Sequence, residues 1–333
     1  MSTAGRLAEA GTTPGAESAV QRRYVYGLDV EADIPFEAAI APNGRREAPV
    51  TMERVGPEIV ERRWSRTGAA SFVALPDERG RLGLGVDHHP ESGYRVYARG
   101  YGLHLVSADG RRILSAIPAG TGWRWQRLLF SQVLPIAAVL NGREVFHASA
   151  VAIGSRVFGF VAASGTGKSS VAAQLVAKGA SFVTDDVLPL EVHDGQVRAH
   201  AGPGASSLYA HEFERLPHDG VHARARVLGV DEKVFLATEP IPHPLPLGGL
   251  YYLKRVGEHD RFLIADARLE LELLLSSAFL AYLNTPDRLS NYLDVCARIQ
   301  ALVPVFVVSL PGRIGAADAA ARLMRHAART WAS

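Results

Sequence analysis

The sequence predicts an α/β protein with a β-rich N-terminal domain, and three observations lead to this prediction. Between residues 23 and 114, short segments of β-branched and aromatic residues are separated by turn sequences. Residues 155–179 pass from a strand pattern through a glycine-rich segment to a helix pattern. Strand and helix patterns then alternate to about residue 330. The predicted division is a tail over 1–20, a β-rich domain over 21–120 and an α/β domain over 121–330.

The composition is that of a globular protein. Hydrophobic residues make up 47% of the 333 residues and charged residues 21%. The net charge of +2 gives no reason to expect nucleic acid or a membrane surface as a partner. The longest apolar runs, 128–140 and 271–283, are shorter than the roughly 20 residues that cross a bilayer. Cys296 is the only cysteine, which excludes an intrachain disulfide and suits a reducing cytoplasm.

The N-terminal part shows no catalytic set of residues. Residues 1–18 lack apolar periodicity, so we expect a disordered tail rather than a signal peptide. His88 and His89 follow Asp87, but adjacent side chains on a strand point apart, and an exposed turn is expected there. Strands are predicted at 24–26, 70–75, 94–97 and 103–106, with turns at 78–80, 90–93 and 108–110.

A helix is predicted from Trp123 to Leu140. Its apolar face would pack the N-terminal domain against the rest of the chain, and Pro135 would bend it. Trp123 or Trp125 could instead stack on a nucleobase, although core packing is favoured.

The segment Ala162 to Ser169, with the sequence AASGTGKS, has the pattern of a phosphate-binding loop between a strand and a helix. Ala162 stands where the strict pattern has glycine, and alanine is the smallest available replacement. Gly165 and Gly167 leave room for phosphate oxygens beside backbone N–H groups, and the helix start adds partial positive charge. The predicted nucleotide-binding residues are Ala162, Ala163, Ser164, Gly165, Thr166, Gly167, Lys168, Ser169 and Ser170.

ATP and Mg²⁺ are the ligands that this pattern predicts. Lys168 would reach the β- and γ-phosphates, and the Ser169 hydroxyl would ligate the metal. A strand from Ala180 to Thr184 would lie parallel to the loop strand and end at Asp185-Asp186. One carboxylate would hold magnesium and the other would take a proton from an attacking hydroxyl. We assign Asp185 as the base and Asp186 as the metal ligand. The sequence leaves the reverse assignment open, and it also leaves open that the pair forms only a solvated turn.

Two further residues are candidates for the site. His147 opens the first strand of a hairpin, 147–153 and 156–161, which leads directly into the loop. It would orient a carboxylate or contact the substrate, unless it is a buried structural histidine. Lys233, in a loop before a strand, would add a cation beside the transferred phosphoryl group, with a surface salt bridge as the alternative. Arg224 and Arg226 are rivals for that role.

These features resemble the HPr serine kinase/phosphorylase family. That family has a histidine on the strand before the loop, a GxSGxGKS-type loop and an Asp-Asp pair after the next helix. The run Glu144 to Val151 looks closer to the divergent HPr-kinase-like proteins of bacterial biosynthetic clusters, some of which phosphorylate peptides, among them lasso-peptide precursors. The resemblance covers roughly 140–195. The family's later signature, with a glutamate, arginines and an RG-type loop, is not found here, which argues against HPr as the substrate and against phosphorylase activity.

The resemblance implies a phosphate-loop kinase core of the HPr kinase/phosphoenolpyruvate carboxykinase type. It also implies a cytoplasmic enzyme that transfers the γ-phosphoryl of ATP to a serine of a peptide or protein. A small-molecule hydroxyl kinase and a non-catalytic ATP-sensing module remain the alternatives, and homo-oligomerisation is left open. The implied catalytic residues are Asp185, His147, Lys168 and Lys233, with Ser169 and Asp186 at the metal.

The C-terminal part continues the alternation. His218 and His222 are four residues apart but have no third partner in the sequence, so no metal site is expected there. The sequence predicts a hairpin turn at 193–196, a short helix over 208–216 and a connector at 240–246. It also predicts strands at 197–200, 250–253 and 305–310, helices over 269–283 and 286–302, and a last helix to about 330.

Overall fold

The computed structural model describes residues 20–40, 48–217, 225–268, 273, 277–283 and 285–330, and the protein is of mixed α/β type. The predicted tail over 1–18, together with His218, His222 and Arg224, lies outside the described residues. Within the described ranges, the strands form two large sheets and one small sheet. No helix in these ranges has both the length and the apolar character needed to span a membrane.

The first sheet is built from residues of the N-terminal part. Its described strands have the order β3-β1-β2-β4-β9-β8-β7-β6-β5. Helix α1, Pro57–Arg63, was not predicted; it begins at a Gly-Pro pair and buries Val60. The strands are β1 Gln21–Val25, β2 Leu28–Ala32, β3 Ala39–Ile40, β4 Val50–Arg54, β5 Ala70–Pro76, β6 Leu82–His89, β7 Gly93–Ala98, β8 Gly102–Val106 and β9 Arg112–Ala116.

The predicted N-terminal strands are all present, with two corrections. Tyr26 is not part of a strand: with φ of +55° it forms the turn with Gly27 that reverses the chain between β1 and β2. His88 and His89 are not in an exposed turn, because they end β6. The His88 ring packs 4.4 Å from the Tyr94 ring of the neighbouring strand β7. Cross-strand aromatic packing therefore extends the strand to this point.

The helix predicted over 123–140 is present from residue 125, with a π-helical turn in the middle. It consists of α2 Trp125–Leu128, the π turn Leu129–Val133 and α3 Leu134–Leu140. Pro135 lies inside this continuous helix, directly after the π turn, where its missing N–H interrupts the regular backbone hydrogen bonds. One apolar cluster joins this helix to β1, β2 and β4 on one side and to Val145 and Val187 on the other. The helix thus packs the N-terminal sheet against the second sheet, as predicted.

The second sheet contains the predicted hairpin. Its order is β11-β10-β13-β14-β18-β20-β19, with β12 on β10 and β11 also paired parallel to β18. Its strands are β10 Glu144–Ile153, β11 Arg156–Val161, β12 Ser181–Thr184, β13 Val187–His193, β14 Gln196–Ala199, β18 Leu245–Val256, β19 Leu263–Asp266 and β20 Val305–Pro311. The small sheet, β15-β17-β16, contains β15 Ala205–Leu208, β16 Val227–Val230 and β17 Val234–Ala237.

Strand β12 differs from its predicted position. It does not lie next to β11: it pairs antiparallel with β10, which separates the two strands. Because both β11 and β12 run antiparallel to β10, they still point in the same direction. The ends of β11 and β12 therefore lie at the same edge of the sheet, as the prediction required.

Within the described ranges, three further helices pack on the second sheet and a short one packs beside the small sheet. The first three are α4 Lys168–Ala177, α6 Pro286–Leu302 and α7 Ala316–Thr330, and the short one is α5 Ala210–Phe213. Helices α4 and α7 share one apolar cluster with β11 and β20, and α6 contributes Tyr292, Cys296 and Ile299 to the cluster on the other face. Of the helix predicted over 269–283, the described residues Leu273 and Ser277 are helical, but Ala278 forms a bridge with Phe146 and residues 279–282 form turns, so the prediction is wrong beyond Ser277. The connector predicted at 240–246 is shorter, because β18 begins at Leu245.

Candidate active site

The loop of residues 162–167, between β11 and α4, is the first component of the site. Gly165 has φ of +76° and Gly167 has φ of +107°, both in the left-handed region that favours glycine. An added Cβ at Gly165 would meet open space, so backbone conformation rather than crowding selects glycine there. Helix α4 begins directly after Gly167, and its first N–H groups face the same end of the sheet as the loop. Such an arrangement can bind an anion.

Lys168 lies across this loop. Its side chain is 6% exposed, and its Nζ donates a hydrogen bond of 2.8 Å to the carbonyl oxygen of Ala162. Burial lowers the pKa of Lys168, and the nearby carboxylates of Asp186 and Asp185 oppose this shift. The ammonium group is thus held over the loop rather than in solvent.

Asp185 connects the loop to the strand after the helix. Its Oδ1 accepts hydrogen bonds of 2.7 Å from the hydroxyls of Ser169 and Ser149. Its Oδ2 accepts from the backbone N–H of Ser207 at 3.0 Å. Burial raises the pKa of Asp185, and the charge of Asp186 acts in the same direction. Asp185 is therefore a fixed and largely saturated acceptor beside the first turn of α4.

Asp186 has a different environment. The strand does not continue through the pair, because Asp186 has φ of +74° and lies in the bend between β12 and β13. Its side chain is 56% exposed, and its Oδ1 lies 3.6 Å from Nε2 of His147. Burial alone would raise the pKa of Asp186, but His147, Lys233 and Lys168 hold it below its ordinary value. Aspartate adopts this left-handed conformation more readily than most residues, which allows the chain to turn sharply here.

His147 lies within β10 rather than at its start, and it is half-buried. Its ring packs edge-on against Phe279 at 5.8 Å between centroids, which fixes its position beside Asp186. Lys233 lies close enough for its charge to affect both Lys168 and Asp186, and its Nζ is 5.2 Å from the centre of the Tyr209 ring. The structure thus places together five of the candidate side chains: Lys168, Ser169, Asp185, Asp186 and His147, with Lys233 nearby.

Two candidate side chains have other contacts. The Ser170 hydroxyl donates to the carboxylate of Glu212 on α5, so its backbone N–H is the part left for a ligand. Arg226 forms an ion pair of 2.5 Å with Glu37 of the N-terminal part. This contact removes Arg226 as a rival of Lys233.

Arg255 is a residue of the site that the sequence did not reveal. Strand β18 pairs with β11 up to Val161 and Tyr252 and continues past the end of β11, so Arg255 lies alongside the loop. Its Nε donates to the carbonyl oxygen of Thr166 at 3.3 Å, and its guanidinium lies 3.6 Å from where a Cβ on Gly167 would be. Arg255 could have been recognised as a site residue only from the parallel pairing of β18 with β11, and no local sequence pattern encodes that pairing.

Serine and carboxylate oxygens at this position suit a small divalent cation. Magnesium is usually held by one or two carboxylates together with phosphate oxygens and water. Ser169 Oγ and Asp185 Oδ1 are in contact, and Asp186 is the neighbouring residue. The donors present therefore fit magnesium. His, Cys, Asp and Glu side chains form no group of three or more suited to a metal within the described residues.

Comparisons with known proteins find a distant structural likeness. No family model matches the sequence, and no curated protein matches it. Among solved structures, the HPr(Ser) kinase/phosphatase from Coxiella burnetii is similar over 56% of this chain and 96% of that chain, with 13% identity and a TM-score of 0.30. A TM-score this low gives no support for any role in the site, whose interpretation rests on the geometry above.

Proposed function

We propose that this protein is an ATP-dependent kinase that transfers the γ-phosphoryl group to a hydroxyl acceptor. The observation that carries the proposal is the contact of 2.7 Å between Ser169 Oγ and Asp185 Oδ1. It joins the first turn of a helix, preceded by a glycine-rich loop, to a pair of carboxylates. Phosphoryl transfer needs this combination of a phosphate-binding backbone, a cation and a carboxylate near the acceptor.

The phosphate side of the site consists of the 162–167 loop with Lys168 and Arg255. Backbone N–H groups and the Lys168 ammonium neutralise the β- and γ-phosphates. Arg255, beside Gly167, adds a second positive charge at the same loop. Ser169 and Asp185 would hold magnesium, which when bound neutralises charge on the phosphate oxygens.

The contacts of the two carboxylates favour Asp186 as the base and Asp185 as the metal ligand, which is the reverse of the assignment made from the sequence. Asp185 is saturated by serine hydroxyls and a backbone N–H, which suits a residue that orients Ser169 and the metal. Asp186 is exposed, so an acceptor hydroxyl can reach its carboxylate, and this access rather than its basicity favours Asp186 as the group that receives the proton. His147 positions Asp186 and helps to keep its carboxylate ionised before the transfer.

The proposed reaction is a displacement at the γ-phosphorus of ATP. The acceptor oxygen forms a bond to the γ-phosphorus while the bond from the γ-phosphorus to the β–γ bridging oxygen breaks. ADP leaves with the electron pair of the broken bond, and the hydroxyl proton passes to Asp186. Positioning and charge neutralisation supply most of the rate enhancement, because the transition state of such reactions is loose.

Replacement of Lys168 tests this proposal. ADP release from MgATP should fall at least about a hundredfold in Lys168→Ala, because oxyanion-stabilising contacts contribute that much. The matched control is Lys178→Ala: Lys178 follows the last residue of α4, is exposed, and should be dispensable. Unchanged ADP release in Lys168→Ala, with the melting temperature of the wild type, would remove the loop from the mechanism.

A further inference from the structure

Lys233 lies beside the candidate site, and the chemistry proposed above has not yet used it. Lys233, Asp185 and Asp186 line the same cavity. The charge of Lys233 acts on both Lys168 and Asp186, so it reaches the loop lysine as well as the exposed carboxylate. Lys233 forms no salt bridge with any carboxylate of the described ranges, so the surface ion pair that the sequence left open is not found there.

The small sheet brings Lys233 to this position. Strand β15 reaches the site, because the backbone N–H of Ser207 donates to Asp185. Strand β17 pairs antiparallel with β15 and places Phe235 opposite Ser207. Lys233 comes two residues before Phe235, so the two side chains share one face, and both line the cavity. The Lys233 ammonium lies 5.2 Å from the centre of the Tyr209 ring, directly after β15.

An ion-pair network holds the turn that carries Lys233 against the start of helix α2. Asp231 pairs with Arg124 at 2.5 Å and with Arg127 at 2.8 Å, one guanidinium on each carboxylate oxygen. The backbone N–H of Asp231 donates to the carbonyl oxygen of Lys233 at 3.0 Å and closes the turn. The attachment of Asp231 therefore also restrains the backbone of Lys233.

Ring contacts reinforce this attachment. The centroids of the Trp123 and Phe235 rings are 4.3 Å apart, and the Arg127 guanidinium lies 4.8 Å from the centre of the Phe235 ring. Gly229 lies so close to Trp123 that an added Cβ would overlap the indole. A single exposed ion pair stabilises a fold little, but a network of charges packed on aromatic rings restrains its members. The turn is thus fixed to the helix.

We infer, on the basis of the proposed kinase function, that Lys233 is a further cation at the transferred phosphoryl group and that Asp231 is the residue that positions it. Arg124 and Arg127 hold Asp231, and Asp231 holds the turn. In the transfer, Lys233 takes no proton and gives none. It neutralises the charge on the oxygens of the γ-phosphoryl group, and it therefore stabilises the transition state more than the bound nucleotide.

The test measures the affinity for MgADP by isothermal titration calorimetry with and without aluminium fluoride, which together with ADP mimics a phosphoryl group during transfer. Aluminium fluoride should raise the affinity of the wild type. This gain should fall at least about tenfold in Lys233→Met and return in part in Lys233→Arg, because a fixed charge at the developing oxyanion contributes that much. The affinity for MgADP alone should change less than about threefold, since the contact acts mainly in the transition state.

Asp231→Ala should lose the gain in the same way, because Lys233 is then no longer held in place. In the double variant of Asp231→Ala and Lys233→Met, the gain should equal that of Lys233→Met alone, since Asp231 acts through Lys233. Asp77→Ala is the matched control, because Asp77 also pairs with two arginines, Arg81 and Arg99, in the turn after β5 outside the cavity. It should keep the wild-type gain.

A wild-type gain in Lys233→Met would overturn the inference, and so would additive losses in the double variant. A wild-type that binds MgADP but gains nothing from aluminium fluoride would do the same. If Asp231→Ala melts well below the wild type, Arg124→Met removes only the more exposed partner of Asp231 and should give a smaller loss of the gain. An undiminished gain in Arg124→Met would then contradict the role of Asp231. Absence of binding of both MgADP and MgATP to the wild type would instead contradict the kinase proposal itself.

Discussion

Asp185 and Asp186 are neighbours in the chain but have opposite surroundings. Asp185 is 8% exposed and accepts hydrogen bonds from Ser149, Ser169 and Ser207. The side chain of Asp186 is 56% exposed and lies beside His147. The cause is the backbone of Asp186, whose φ of +74° ends the strand and turns the two side chains toward different partners. The two residues can therefore act differently in one reaction.

A magnesium titration distinguishes the two roles. If Asp185 helps to hold the metal, Asp185→Asn should lose phosphoryl transfer at low magnesium and recover part of it as magnesium is raised. If Asp186 is the base, Asp186→Asn should lose about 10²- to 10⁴-fold in rate with no recovery. If added magnesium restores activity only in Asp186→Asn, then Asp185 is the base and Asp186 holds the metal. Near-normal transfer in both variants would leave the ATP-sensing module as the better description.

At the scale of elements, helix α6 is tied to strand β10, which carries His147. Arg288 near the start of α6 forms a two-point ion pair with Glu144 at the start of β10, and the Glu144 side chain is only 9% exposed. A buried carboxylate that loses its partner is strongly destabilising, because its charge is no longer compensated. This pair holds the end of β10 in place beside the site.

Arg288→Met should therefore lower the free energy of unfolding by about 3–5 kcal/mol, measured by urea denaturation. Arg298→Met is the control on the same helix, because Arg298 and Asp294 form an exposed pair at 3.7 Å. Its effect should stay within about 0.5 kcal/mol. Equal effects of the two substitutions would show that the Arg288–Glu144 pair does not stabilise the fold.

The same elements show how far the sequence could predict this structure. The hairpin, the glycine loop, helix α4 and the short strand after it are specified by local patterns, and each is present. The neighbour of β12 was wrong, because strand order depends on tertiary packing rather than on local sequence. Arg255 was missed for the same reason, since it contacts Thr166 across 89 residues. The end of the strand at Asp186 was missed because a left-handed aspartate has no sequence signature of its own.

At the scale of the whole molecule, one apolar cluster links the two large sheets. Residues from β1, β2 and β4 pack with Leu129, Val133 and Leu134 of the central helix, and Val187 at the start of β13 belongs to the same cluster. Val187 follows Asp186 directly, so the cluster reaches the candidate site. The cavity beside Asp185 and Asp186, of about 810 Å³, is likewise lined by turns of the N-terminal sheet at Tyr26 and Tyr101, by the central helix and by the small sheet. The N-terminal part therefore contributes to the surroundings of the two carboxylates.

The central claim is that the 162–167 loop with Lys168 binds the phosphates of ATP, and isothermal titration calorimetry of the full chain with MgATP tests it most directly. We predict one binding site in the wild type. We also predict an affinity at least about tenfold lower in Lys168→Ala, since the loss of a charge-assisted contact costs more than about 1.4 kcal/mol. Lys178→Ala should bind like the wild type. No binding of MgATP to the folded wild type, or equal affinity in Lys168→Ala, would contradict the claim.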